Sequence, residues 1–261
     1  MLPAFYMPKW VDFHTHILDA PPAELSLATS QSKDANVMRW LVNSVDWENW
    51  LSHSALAQKH PLAMVGLGWH PEQVIESTKS HILGQLSLYE KELEKKEISF
   101  LGETGLDFLY GKTELHRAKQ VEVFSFFIRA SLAHKKMIEV HTRHAKQESL
   151  DLLLKLEAKD VLLHWFSGNK KQTQTIIEQQ WVCSVGPTIL NSPHVDKFIE
   201  LMPLELLALE TDSPIPFDGT PSNPSWIPRV AEKVAKLKGV SLSDVAKAQA
   251  VIFRRFFHQS L

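Results

Sequence analysis

Two histidines, His14 and His16, stand at the end of the apolar run Val11-Asp12-Phe13. Side chains two positions apart on a strand leave by the same face, so both imidazoles would converge just past a strand end. A neutral imidazole is the commonest protein ligand for Zn and its neighbours. Alone the pair says little, because the chain has 13 histidines. The same event recurs, however: a short apolar run ends in a His, Glu or Asp. Glu103 follows Ile98 to Leu101, His141 follows Met137 to Val140, His164 follows Val161 to Leu163, and Asp212 follows Leu206 to Leu209. Four imidazoles and two carboxylates suit one or two divalent transition metals and suit Mg alone poorly. Glu103, near the middle of the set, could bridge two ions. Two ions about 3.5–4 Å apart can bind a hydroxide between them, polarise a P=O or C=O bond and stabilise the leaving oxygen. Asp212 could then be both a ligand and the group that takes a proton from the water. Each residue alone has a plainer reading, as a loop hydrogen-bond partner or a turn cap. Six at strand ends by accident is a much poorer explanation.

The elements that must position them follow from periodicity. Strands are expected over Lys9–Phe13, Val37–Asn43, Leu62–Leu67, Ile98–Leu101, Met137–Val140, Val161–Leu163, Val182–Val185 and Leu206–Leu209. Helical spacing marks Trp47–Lys59 behind the cap Asp46. It also marks Ile82–Lys96, with Leu83, Leu86 and Leu93 as its apolar positions, and Lys112–Lys135, with Val121, Phe124, Phe127, Ile128 and Leu132. Further helices are expected over Ala145–Ala158, Lys170–Gln180, His194–Leu201, Arg229–Lys238 and Leu242–Phe257, the last capped by Ser241 or Ser243. Leu18 to Asp34, rich in Pro, Ala and Ser, reads as a loop whose start Pro21-Pro22 keeps out of a helix. Strands alternating with helices imply parallel βαβ units, and eight of them close into a TIM-type (β/α)8 barrel. Its strand ends form one bowl. An open doubly wound sheet would spread the same polar residues along an edge. No linker breaks the series, so one domain over 1–261 is expected.

A chain of 261 residues is about the size of one such barrel. The net charge of −2 argues against a broad basic face that coats duplex DNA. The one cysteine, Cys183, excludes an internal disulfide and a Cys-rich zinc site; it sits in an apolar run and reads as core. Met1 to Trp10 lacks the basic start and apolar stretch of a signal peptide, and no apolar run reaches the roughly 18 residues of a membrane span. A cytoplasmic protein without membrane partners is expected.

The motifs Asp12-Phe13-His14-Thr15-His16, Gly68-Trp69-His70-Pro71, Gly102-Glu103-Thr104-Gly105-Leu106-Asp107, Val140-His141-Thr142-Arg143, His164-Trp165-Phe166-Ser167-Gly168 and Glu210-Thr211-Asp212-Ser213-Pro214 occur in that order. Together they resemble the TatD family of metal-dependent deoxyribonucleases, within the amidohydrolase superfamily, nearly end to end. The resemblance implies a two-metal site. One ion would take His14, His16, Glu103 and Asp212; the other would take Glu103, His141 and His164. The ions could be Zn, Mn, Ni, Fe or Mg. It implies hydrolysis of DNA phosphodiesters, often from the 3′ end, with single strands or ends as substrate. It also suggests that His70 and Arg143 face the substrate, and a histidine and an arginine beside such a site can hold a phosphate.

Two departures from the family pattern stand out. The segment Leu18 to Lys33 lacks the Asp and aromatic pattern expected there in the family, and Ile252 stands where an asparagine is usual. Lys170 and Lys171 could add positive potential at the mouth, and Trp69 and Trp165 could stack a base. Two other functions remain compatible with the residues: hydrolysis of a lactone, cyclic amide or phosphotriester, and a catalytically weak barrel kept as a binding partner or scaffold. The oligomeric state is open, with a monomer compatible.

Overall fold

The structure, a computed structural model, describes residues 8–95 and 98–261. Most of the N-terminal stretch read for a signal peptide, and the Lys96 end of the helix expected over Ile82–Lys96, lie outside the described residues. In chain order the first half is β1 (Trp10–Thr15), α1 (Pro22–Asp34), β2 (Val37–Val42), α2 (Trp47–Ala57), β3 (Ala63–Leu67), α3 (Pro71–Val74), α4 (Lys79–Leu93), β4 (Phe100–Gly105) and α5 (Glu114–His134). The second half is β5 (Ile138–His141), α6 (Lys146–Lys155), β6 (Val161–Leu163), α7 (Lys170–Glu178), β7 (Val182–Val185), α8 (Pro193–Leu201) and β8 (Leu207–Leu209). A small ribbon, β9 (Pro216–Phe217) and β10 (Thr220–Pro221), precedes α9 (Ile227–Lys238) and α10 (Leu242–Phe257).

The strands β1 to β8 pair in sequence order, every pair parallel. They form the expected (β/α)8 barrel. Apart from partly buried positions near the starts of β2 and β3, their residues are buried on both faces, as parallel strands wrapped in helices must be. Cys183 lies in β7 with no exposure, in the core as expected. Beyond the ladders, the segment after β8 is joined to β1 at the strand ends, which closes the barrel. The Asp212 N–H donates to His14 O at 2.9 Å and the His16 N–H to Ser213 O at 2.5 Å. The buried Asp12 carboxylate accepts from both the N–H and the hydroxyl of Thr211. Gln249 of α10 anchors β8 from outside, accepting from Leu209 N at 3.0 Å and donating to Leu207 O at 3.0 Å. Ile252, the other departure noted in this helix, is simply core, 1% exposed.

Three sequence expectations are corrected. Leu18 to Asp34 is mostly helix. Pro22 occupies the first helical position, where a missing N–H costs nothing, and Leu25, Ala28 and Ser32 turn one face inward. In α4 the buried side is carried by Ile82, Tyr89 and Leu93, whereas Leu83 is 51% exposed. The apolar stripe is rotated by about one residue because the Tyr89 ring packs on Trp69 and Phe127 and its hydroxyl donates to Gly68 O. Within α5, Phe124, Phe127 and Ile128 are core as expected, while Val121 is exposed. The caps Asp46 and Ser241 hold their helices as read from the sequence.

Candidate metal centre

The C-terminal strand ends open into a cavity of about 1200 Å³. His14 and Glu103 lie within β1 and β4 and His141 closes β5. His16, His164 and Asp212 follow their strands by one to three residues. Close strand approach is enforced by glycines. A Cβ on Gly68 would meet Gly102 C at 2.2 Å, and one on Gly105, at φ 145°, would meet His141 O at 2.1 Å.

All six candidate ligands meet around Glu103. Its Oε2 lies 3.2 Å from His16 Nε2 and 3.6 Å from His14 Nε2. Its Oε1 lies 2.6 Å from His141 Nδ1 and 3.6 Å from His164 Nε2. Asp212 Oδ1 stands 3.3 Å and 3.7 Å from Nε2 of His14 and His16, on the Oε2 side. The two oxygens of one carboxylate thus face two different pairs of imidazoles. Burial opposes ionisation of Glu103, but the surrounding imidazoles outweigh it and hold the carboxyl well below its usual value. Asp212 is lowered for the same reason, against its burial.

Each candidate ligand histidine is held from behind by a second oxygen. His14 Nδ1 meets Glu139 Oε1 at 2.5 Å, His16 Nδ1 the Asn43 carbonyl at 3.0 Å, His164 Nδ1 Glu210 Oε2 at 3.1 Å, and His141 Nε2 Asp107 Oδ2 at 3.0 Å. Two of those carboxylates are themselves anchored: Asn43 Nδ2 donates to Glu139 Oε2 and Ser184 Oγ to Glu210 Oε2. Imidazoles tied this way on one nitrogen and free to face a common point with the other are the usual arrangement of metal ligands. Among the described residues three groups of His and carboxylate atoms lie within 4.8 Å of one another. The fully buried one, His14, Glu139, His164 and Glu210, consists of these backing bonds. In the other two, His14-His16-Glu103 and His70-Glu103-His141, every member but the fully buried His14 lines the cavity. The donor set of nitrogens and carboxylate oxygens fits divalent transition metals.

Sequence reading missed the backing residues Asp107, Glu139, Asn43 and Glu210. A signal was present for Glu139. It is a charge inside the apolar strand Ile138–His141, two positions before His141, and so shares that residue's inward face.

His70 stands 3.5 Å from Glu103 Oε1. Its Nδ1 accepts from the Glu72 N–H at 3.3 Å, which leaves the ring proton on Nε2, toward the centre. Burial depresses its pKa to about 3, so it is neutral at ordinary pH. Arg143 lines the cavity with its side chain 41% exposed, its Nε donating to Asp107 Oδ2 at 2.7 Å and its guanidinium 4.8 Å from the Tyr110 ring centroid. Against burial, the bonds to His141 and Arg143 lower Asp107 to about 2. Asp107 thus ties a candidate ligand to a candidate substrate cation. Lys170 and Lys171 are exposed and outside the cavity; Lys146, which sequence reading did not single out, lines it instead. Trp69 is 3% exposed and packs on Tyr89, whereas Trp165 lines the cavity. Of the segment Leu18 to Lys33, Asp19 lines the cavity, held by His53 at 2.7 Å and Asn49 at 2.8 Å.

Arg143→Ala is expected to lower kcat/KM on a phosphodiester about tenfold to a hundredfold, the worth of a charge-assisted contact of about 1.5–3 kcal/mol. Metal content should stay at the wild-type level. Unchanged kinetics with a lower Tm would assign the arginine to structure alone.

A family model described as TatD related DNase matches residues 11–258. YabD of Bacillus subtilis (strain 168), named a metal-dependent hydrolase, is 25% identical over 257 residues, 94% of this chain and 98% of that protein. The human protein named deoxyribonuclease TATDN3 is 28% identical over 246 residues, 90% of this chain and 89% of its own. Among solved structures, YJJV, a TatD homolog from Escherichia coli K12, shares the fold with a TM-score of 0.86 at 23% identity, over 97% of this chain and 99% of that one. With the family model spanning the barrel from Val11 in β1 to His258 at the end of α10, the chain belongs to the TatD related DNase family.

Proposed function

We propose that this protein is a metal-dependent phosphodiesterase that removes nucleotides from DNA ends, single-stranded or frayed, and that it holds two divalent ions per chain. The observation that carries the reading is the division of Glu103, one oxygen toward His14 and His16, the other toward His141 and His164. One ion would be held by His14, His16, Glu103 and Asp212, and the other by Glu103, His141 and His164. Such ions acidify a water and neutralise charge on the phosphoryl oxygens. The remaining work falls to the chain. Asp212, kept as a carboxylate, accepts the proton from the attacking water. His70 donates from Nε2 to a phosphate oxygen, and Arg143, steadied by Asp107, holds the phosphate from the rim. His14, His141 and His164 stay in place because Glu139, Asp107 and Glu210 bind their far nitrogens. Arg143 and Lys146 on the cavity wall favour a phosphodiester over a lactone or amide, whose neutral groups have no use for them.

The recessed cavity and low net charge favour a flexible strand over a stiff duplex. Protein loaded with Mn or Zn should degrade end-labelled single-stranded DNA stepwise and leave closed circular DNA intact, with a panel of lactones and amides run in parallel. Circles cut as fast as linear DNA would contradict action at ends, and turnover confined to lactones or amides would replace the phosphodiester. Elemental analysis after purification without chelator and reloading should approach two ions per chain. A plateau at zero would sink the mechanism.

A further inference from the structure

Beside the larger cavity lies a second one, of about 340 Å³. Phe166 from the loop after β6, Ile189 from the turn after β7, Val195 from α8 and Phe217 from β9 form its apolar walls, and Ser192 adds a polar group. Trp165 lines both cavities. Its ring centroid lies 6.1 Å from that of His164, so the smaller cavity is one side chain away from the Glu103 centre. The indole is fixed: Nε1 donates to Thr188 Oγ1 at 2.9 Å. Its backbone is held at φ 44°, a conformation that a bulky residue seldom adopts. Strain of this kind persists where the surroundings over-determine it, and it gathers at ligand clamps. Orientation of His164 does not require the indole, because Glu210 already supplies it.

Size and lining narrow the occupant. Ligand pockets span about 300–1,000 Å³, and this one lies at the low end, with room for one planar ring system and not for a run of nucleotides. Apolar and aromatic walls with a few polar groups suit a ring whose faces are apolar and whose edge is polar. A nucleobase has that character, and the neighbouring cavity holds the cations that a phosphate needs.

We propose that the smaller cavity is a nucleobase subsite, taking the base of the nucleotide whose phosphate lies at the Glu103 centre, with Trp165 as its stacking wall. The inference rests on the phosphodiester reading for the phosphate's position. Stacking uses the π-face that every base has, so the subsite tolerates any sequence.

The probe is 2-aminopurine 2′-deoxyribonucleoside 5′-monophosphate, whose fluorescence is quenched when the base stacks. The metal-loaded wild type should quench it. Val195→Trp, which fills the cavity from α8, and Trp165→Ala, which removes the wall, should each weaken binding about fivefold to a hundredfold, the range of one base–aromatic stack. A melting curve for each variant separates lost binding from lost fold. Absence of quenching, or wild-type binding by folded Val195→Trp, overturns the subsite. A second measurement needs no variant: kcat/KM on oligonucleotides ending in a normal or an abasic residue. The abasic end should be poorer by the same factor. Equal rates on the two ends overturn the subsite and leave the phosphodiester reading standing. Quenching that Val195→Trp abolishes, in a protein that cuts no oligonucleotide, supports the subsite and overturns the phosphodiester reading.

Discussion

Asp212→Asn should fold like the wild type and lose about 10²–10⁴ of its kcat, the usual worth of a general base. Asparagine has nearly the same shape and can still offer a carbonyl oxygen to an ion, but it cannot take a proton. The backbone permits the exchange. Asp212 sits at φ 53°, a left-handed conformation in which Asn is among the few residues at ease, so the variant adds no strain. The N–H bond to His14 O that closes the barrel between the segment after β8 and β1 is a main-chain bond and survives the change. Lost charge beside His14 and His16 should also weaken the first ion, while the ion assigned to His141 and His164 remains. The measurements are kcat at saturating metal, ions per chain and Tm. If the variant keeps more than about a third of wild-type kcat, far from the loss expected of a base, Asp212 is not the base.

Glu103→Gln should be at least as damaging. The Glu103 carboxylate faces both pairs of imidazoles, one oxygen to each, and an amide cannot keep two acceptor oxygens. A glutamine offers one carbonyl oxygen to one side and turns an NH2 to the other. We expect metal content to fall from two ions to one or fewer, and kcat to fall by about 10³ or more, since stabilisation by such ions is worth several kcal/mol. Stability supplies a readout that does not depend on turnover. A ligand present at 100 times its Kd stabilises the fold by about 2.7 kcal/mol. Added Mn or Zn should therefore raise the Tm of the wild type clearly and that of Glu103→Gln much less. Two ions retained at wild-type affinity would mean that Glu103 does not bridge.

Much of this was legible in the chain itself. The alternation of strand and helix could be read because short continuous apolar runs, the mark of parallel strands buried on both faces, give way to the 3.6-residue spacing of helices, and caps such as Asp46 and Ser241 act within three residues of their own position. The candidate ligands were legible for a related reason. In a parallel barrel every strand points its C-terminal end to the same face, so a polar residue ending an apolar run is placed by topology alone. The opening residues His14 and His16 needed only the two-residue period of a strand to be set side by side.

What only the tertiary structure decided depends on residues far apart in sequence. The bond between His14 and Glu139 spans 125 positions and that between Thr211 and Asp12 spans 199. No local pattern encodes which carboxylate will stand behind which imidazole. The same holds for Arg143, whose partner Asp107 comes from the strand end next door, and for Glu103, whose two oxygens were sorted between two histidine pairs by the closing of the barrel. The helix at Pro22–Asp34 was missed because proline and serine are weak evidence for a helix, and burial of Leu25 and Ala28 against the barrel is what stabilised it. Local periodicity determined which residues reach the rim. Packing across the barrel decided which nitrogen and oxygen atoms face each other there, because those distances exist only once β8 has returned to β1.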